Sequence, residues 1–232
     1  MAAPHPPDPP RWGLVVACGA AVAALSVVMF PLFPSEGAGY PKGLGSPVFA
    51  FEMARSAADL TLIFGDPSDP ARAARIAAMD RGNLADYAFL VAYGAFIFTF
   101  FTAVRRATGR AGWAAFAALG IVAAASDAVE NLILLGLTSD LAGAPLIGWL
   151  PLPVWAKFFS LMAAGLGLSV FLVTRKDNLW ALLGMLALVG SLVVPLAFVS
   201  PLDYATYVGR GITVVWLTQL AYAARAWRAK TS

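Results

Sequence analysis

The chain has 232 residues, of which 60% are hydrophobic and only 12% charged, with a formal net charge of +3. Soluble domains carry about 25% charged residues, so the composition excludes an ordinary soluble domain and points to an integral membrane protein. A single cysteine, Cys18, and a single histidine, His5, exclude an internal disulfide, a CxxC redox pair, a multi-histidine metal cluster and a histidine-based catalytic triad.

Residues 1–11 are rich in proline and read as a disordered tail. Residues 12–232 read as one membrane domain. Its first apolar run is Trp12–Phe33, with Cys18 inside it as a small buried hydrophobe. The run exceeds the 7–15 apolar residues usual in a signal peptide. A retained anchor is expected, although Gly37–Gly39 supplies small residues suited to cleavage.

Residues 34–83 form the one sizeable hydrophilic stretch. Val48–Phe64 has helical periodicity, with Phe49, Met53, Ala57, Leu60 and Phe64 on one face and Glu52, Arg55 and Asp59 on another. Such a helix would either lid the bundle or pack on the ends of the membrane helices. Gly65-Asp66-Pro67-Ser68 is a turn. Asp69 can then cap a second external helix, with Pro70 at its first position and Gly82 just past its end.

Five further membrane helices follow: Leu84–Val104, Ala111–Leu137, Leu150–Val173, Asn178–Val199 and Tyr204–Ala224. The links are short, so successive helices are expected to pack antiparallel. There is no internal repeat and no GxxxG pair; Gly165 and Gly167 offer close helix approach. The predicted fold class is therefore all-α, a polytopic bundle of six transmembrane helices with an external helical segment between the first and second.

Basic residues set the orientation. Arg105, Arg106 and Arg110 fall in one loop, Arg175 and Lys176 in another, and Arg225, Arg228 and Lys230 in the C-terminal tail. Asp140 and Asp203 are the charges of the two opposite loops. The positive-inside rule then places both termini in the cytoplasm and residues 34–83 outside the cell membrane. The same clustering at helix ends argues against a nucleic-acid surface.

Within this frame the intramembrane polar residues stand out. Asp127, Glu130 and Asn131 are spaced i, i+3, i+4 and share one helix face. Each acid costs roughly 2.5–3.5 kcal/mol to insert. Asp86 and Tyr93 in the second span, Lys157 in the fourth and Arg210 in the sixth lie at a similar depth, with Tyr204 and Tyr207 at the same level. Three acids, two bases and an amide are thus expected in the outer half of the bundle, paired with one another. Such a cluster serves either as a helix-registry device or as a site.

The pieces Phe51-Glu52-x-Ala54, Asp86-x-x-Phe89-x-x-x-Tyr93, Asp127-Ala128-x-Glu130-Asn131 and Lys157-Phe158 together resemble a family of uncharacterised bacterial multi-pass membrane proteins. The resemblance covers roughly residues 47–173. It implies that these polar positions belong together and implies no activity.

Three functional classes follow. In the first, the cluster binds a membrane lipid or an amphiphilic small molecule, with Asp86, Tyr93, Asn131, Lys157 and Arg210 as ligand-binding residues. In the second, Asp127 and Glu130 act as a catalytic acid–base pair on a hydrophobic substrate, as in an isomerase or cyclase. The third, ion-coupled transport, fits less well with polar groups confined to one half of the bundle. No cofactor, metal or nucleic acid is implied, and no protein partner is indicated.

Overall fold

The computed structural model describes residues 9–231, with side chains through Ala229. These residues form eight α-helices and, among them, no strand: α1 Trp12–Met29, α2 Pro47–Glu52, α3 Ala57–Phe64, α4 Arg72–Thr108, α5 Trp113–Ser139, α6 Pro151–Val173, α7 Asn178–Val199 and α8 Pro201–Thr231. Most of the expected disordered tail, His5 included, lies outside the described residues. Helices α1, α4, α5, α6 and α7 are long and apolar enough to cross a membrane, which marks a multi-pass membrane protein. α8 runs over the sixth predicted span but is not among these five; Arg210, Gln219 and Arg225 interrupt its apolar sequence.

The six long helices close into a ring. Each of α4 to α8 packs on its sequence neighbour, and α1 completes the circle by packing on both α4 and α8. Bare backbone meets bare backbone at two crossings. A Cβ on Gly120 of α5 would come within 2.6 Å of the Gly94 carbonyl oxygen of α4, and one on Gly190 of α7 within 2.7 Å of the Gly211 carbonyl oxygen of α8. Small residues permit this approach, and dispersion contacts then hold the helices where lipid supplies no hydrophobic drive. Gly165 and Gly167 do the same against Ser191 and Phe116. Outside the ring, Val27, Phe30, Leu132, Val189 and Val199 are all more than half exposed, an apolar surface that only a membrane covers at this extent.

The connection between α1 and α4 differs from the sequence expectation in three places. Val48–Phe64 is not one helix. Ser46 caps α2, its hydroxyl accepting from the Phe49 N–H at 3.2 Å. α2 then ends after Glu52, where the Arg55 guanidinium donates to the carbonyls of Glu52 and Ala54. Ser56 adopts an extended conformation and opens α3 with a capping box, paired reciprocally with Asp59. The apolar period runs across the break, but the cap wins locally because it satisfies orphan N–H groups at the start of α3.

Nor does Gly82 end a helix. α4 is continuous for 37 residues, about 55 Å at the helical rise, against about 30 Å of bilayer hydrocarbon. Its charged first turns therefore project past the ring. Gly82 is buried inside it, where the missing Cβ leaves room for the Phe33 ring. Nor is Asp69 the cap with Pro70 at the first position: α4 starts at Arg72 with Ala71 as its N-cap and no side-chain cap, while Asp69 accepts from the Ala71 N–H in the preceding turn and pairs with Arg75 at 2.7 Å. Arg72 and Arg75 reach back to the carbonyls of Gly65 and Phe64 at the end of α3.

Candidate functional site

α2 is short, but its placement decides the site. Phe49 stacks on Phe158 of α6, with ring centroids 5.5 Å apart. Phe51 meets Phe64 of α3 edge to face at 5.0 Å. One helical turn after Phe49, Glu52 is thereby aimed down into the ring, over Lys157.

Lys157 is the centre of the cluster. Its side chain is 8% exposed, and its three ammonium protons are all engaged. Nζ donates to Glu52 Oε1 at 3.1 Å, to Asp127 Oδ1 at 3.1 Å and to Glu130 Oε1 at 2.9 Å. It also lies 2.8 Å from Glu130 Oε2, so it faces both oxygens of that carboxylate. Three helices besides its own, α2, α5 and the Tyr93-bearing α4, are tied to this point. The Tyr93 hydroxyl donates to Asp127 Oδ2 at 2.8 Å, and its ring stacks on Trp216 of α8. Asn131 Nδ2 donates to Asp86 Oδ2 at 2.7 Å, a second link between α5 and α4. Burying one ion alone is prohibitive, so mutual saturation of this kind is what the bundle interior demands.

The i, i+3, i+4 reading of α5 holds: Asp127, Glu130 and Asn131 are all buried on one face. Asp86, Tyr93 and Lys157 join them. Arg210 does not. It is exposed, with its guanidinium 5.5 Å from the Tyr207 ring, and Tyr204 and Tyr207 are exposed as well. On α8 the residues that line the cavity are Gly209, Ile212, Thr213, Trp216, Leu217 and Leu220; Arg210, about 100° round the helix from Gly209, falls at the exposed edge of that face beside Leu217. Two residues of the site were not anticipated. Glu52 was expected on a polar outer face with Arg55 and Asp59, yet it is 8% exposed. Asn83 was assigned to the hydrophilic stretch, yet it is 2% exposed and sits one turn before Asp86. The Phe51-Glu52-x-Ala54 piece was the one signal that pointed to Glu52.

These polar groups form one end of a cavity of about 620 Å³. Glu52, Asn83, Asp86, Asp127, Asn131 and Lys157 line that end. The rest of the wall is apolar, including Val22, Phe89, Phe96, Leu161, Trp216 and Leu220. The α8 wall from Gly209 to Leu220 is about 16 Å long at the helical rise, so the cavity is elongated along the helices. Ala23 and Ser26 of α1, Phe30 just past its end, and Gly209, Thr213 and Leu217 of α8 line it while also being exposed on the outside of the bundle. The cavity therefore opens sideways, between α1 and α8. At the far end these two helices converge, with Trp12 edge-on to Tyr222 at 5.6 Å.

Among the described residues, no group of three or more histidine, cysteine or carboxylate side chains is arranged to hold a metal ion; the point shared by Glu52, Asp127 and Glu130 is taken by the Lys157 ammonium. Comparison of the chain with known protein families, curated proteins and solved structures finds no match.

Proposed function

We propose that this is a six-span protein of the cell membrane, with both termini cytoplasmic and α2–α3 outside, that binds a lipid or amphiphilic small molecule in its lateral cavity. One observation carries the reading: a single elongated cavity is polar at one end, apolar along the rest, and open between two membrane helices. Pockets of roughly this size, apolar with a few convergent polar groups, are where small molecules bind. A side opening suits a ligand that arrives from the bilayer. The sixth span rests on α8 completing the ring between α7 and α1.

A second reading is an acid–base enzyme acting on a hydrophobic substrate. The buried chain Tyr93–Asp127–Lys157–Glu130 favours it, because neighbouring carboxyls in unequal surroundings can divide acid and base roles. Asp127 and Glu130 would then be the reacting pair. Ion-coupled transport would need a path through the aromatic packing of Trp12, Phe100, Phe171 and Tyr222 at the far end.

The test is lipid-resolved mass spectrometry of the purified protein and of Gly209→Trp. A Cβ at Gly209 meets nothing within 4 Å, so the indole would fill the opening without disturbing packing. The wild type should carry an amphiphile, and the variant should lose it at an unchanged melting temperature. No co-purifying molecule, or equal retention by both, would sink the reading. Cysteines placed at Ser68 and Thr108 check the orientation: an impermeant reagent should reach the first from outside, and the second only after permeabilisation.

A further inference from the structure

Charge within the cavity end is unbalanced. Four carboxyl groups, those of Glu52, Asp86, Asp127 and Glu130, meet one ammonium, that of Lys157. Lys157 has spent all three protons, and Asp86 is not one of its acceptors. Among the described residues its side-chain hydrogen-bond partner is the neutral amide of Asn131.

Two buried atoms on the cavity wall have no hydrogen-bond partner in the protein. One is Glu52 Oε2, an acceptor whose sister oxygen holds Lys157. The other is Asn83 Nδ2, on a side chain that is 2% exposed. Buried polar atoms are normally satisfied; Glu52 Oε2 lacks a donor, which an ammonium supplies, whereas Asn83 Nδ2 lacks an acceptor, which an ammonium does not. Both Glu52 and Asp86 line that cavity.

We infer that the head group received here is a protonated amine, placed against Glu52 and Asp86, with its hydrocarbon tail lying along Phe89, Trp216 and Leu220. This rests on the amphiphile-binding reading and adds the chemical class of the ligand. An ammonium supplies the missing positive charge and donates to the free Glu52 oxygen, and such charge-assisted bonds are about twice as strong as neutral ones. A carboxylate or phosphate head would add negative charge beside four acids. A bare metal ion would lack ligand geometry, because Lys157 occupies the point where three of the carboxylates converge.

The experiment uses three probes with one tail: decylamine, 1-decanol and decanoate. Each is titrated calorimetrically into the full-length protein in a neutral maltoside detergent. Decylamine should bind about tenfold tighter than decanol or better, the equivalent of one charge-assisted hydrogen bond, and decanoate should bind weakest. Glu52→Gln and Asp86→Asn should each collapse the amine-to-alcohol ratio several-fold, since each removes a carboxylate from the head-group end and leaves the apolar wall in place. Neither residue's replacement strands Lys157, which keeps Asp127 and Glu130. Equal binding of decanol and decylamine, or an amine preference that survives in both variants, would overturn the inference and leave amphiphile binding standing. Binding of none of the three probes would overturn both.

Discussion

Replacing Lys157 with methionine is the sharpest perturbation of this fold. The side chain is 8% exposed and, among the described residues, is the cation bonded to Glu52, Asp127 and Glu130. Methionine keeps most of the shape and removes the charge, so three buried carboxylates lose their counter-ion together. Removing one member of a buried pair costs about 3–5 kcal/mol. For a chain of this size each kcal/mol lowers the melting temperature by about 2–4 °C. The expected fall is therefore about 6–20 °C in detergent or nanodiscs. A double-mutant cycle then ranks the partners. Glu130 is the most deeply buried and presents both oxygens to Nζ, so Glu130→Gln should restore the most stability to Lys157→Met, with a coupling of about 1–3 kcal/mol. Asp177→Asn, at an exposed pair with Arg225, should restore none. A fall below about 2 °C, or equal rescue by Asp177→Asn, would refute the account of Lys157 as the centre of the cluster.

Two further outcomes test the frame around it. Gly120→Val should lower stability by about 2 kcal/mol or more, because the new side chain strikes the α4 backbone and the helices must part; Gly209→Ala, facing open space, should be neutral by the same thermal assay. At the α3–α4 link, hydrogen bonds from Arg75 and from the Ala71 N–H hold the Asp69 carboxyl below its usual value of 3.8. A depressed carboxyl stabilises above its unfolded value and loses that contribution as pH falls through the folded one. Backbone exchange over residues 65–72 should therefore be faster in Asp69→Asn than in the wild type at pH 7, and the difference should shrink as pH falls below 3.8.

The sequence was readable where one physical signal acted alone. Long apolar runs can only be membrane helices, and three polar residues at i, i+3, i+4 can only share a face, so α5 and its Asp127–Glu130–Asn131 edge followed directly. Reading failed where two signals competed. Across residues 53–56 the apolar period continued while the Ser56-x-x-Asp59 cap broke the helix. At Gly82 a stop signal was overruled by tertiary packing against Phe33. Arg210 failed for a different reason. Topology assigns depth along a helix but not rotation about it, and the residue falls at the exposed edge of the cavity-lining face. Glu52 shows the reverse: amphipathicity placed it outward, and only the stacking of Phe49 on Phe158 turns it inward.

The balance of charges separates the two readings of the cluster. A device that merely fixed helix register would need one acid for one lysine, and each further buried acid would add an insertion cost with nothing gained. Here Lys157 meets three acids on two other elements, and a fourth, Asp86, is held by an amide. Registry is served already by the glycine crossings of α4 with α5 and of α7 with α8. The surplus lies at one end of a cavity, which Glu52, Asp86 and Asp127 line. Acids kept at a stability cost beside a cavity that opens between α1 and α8 support the binding reading proposed above over a scaffold role.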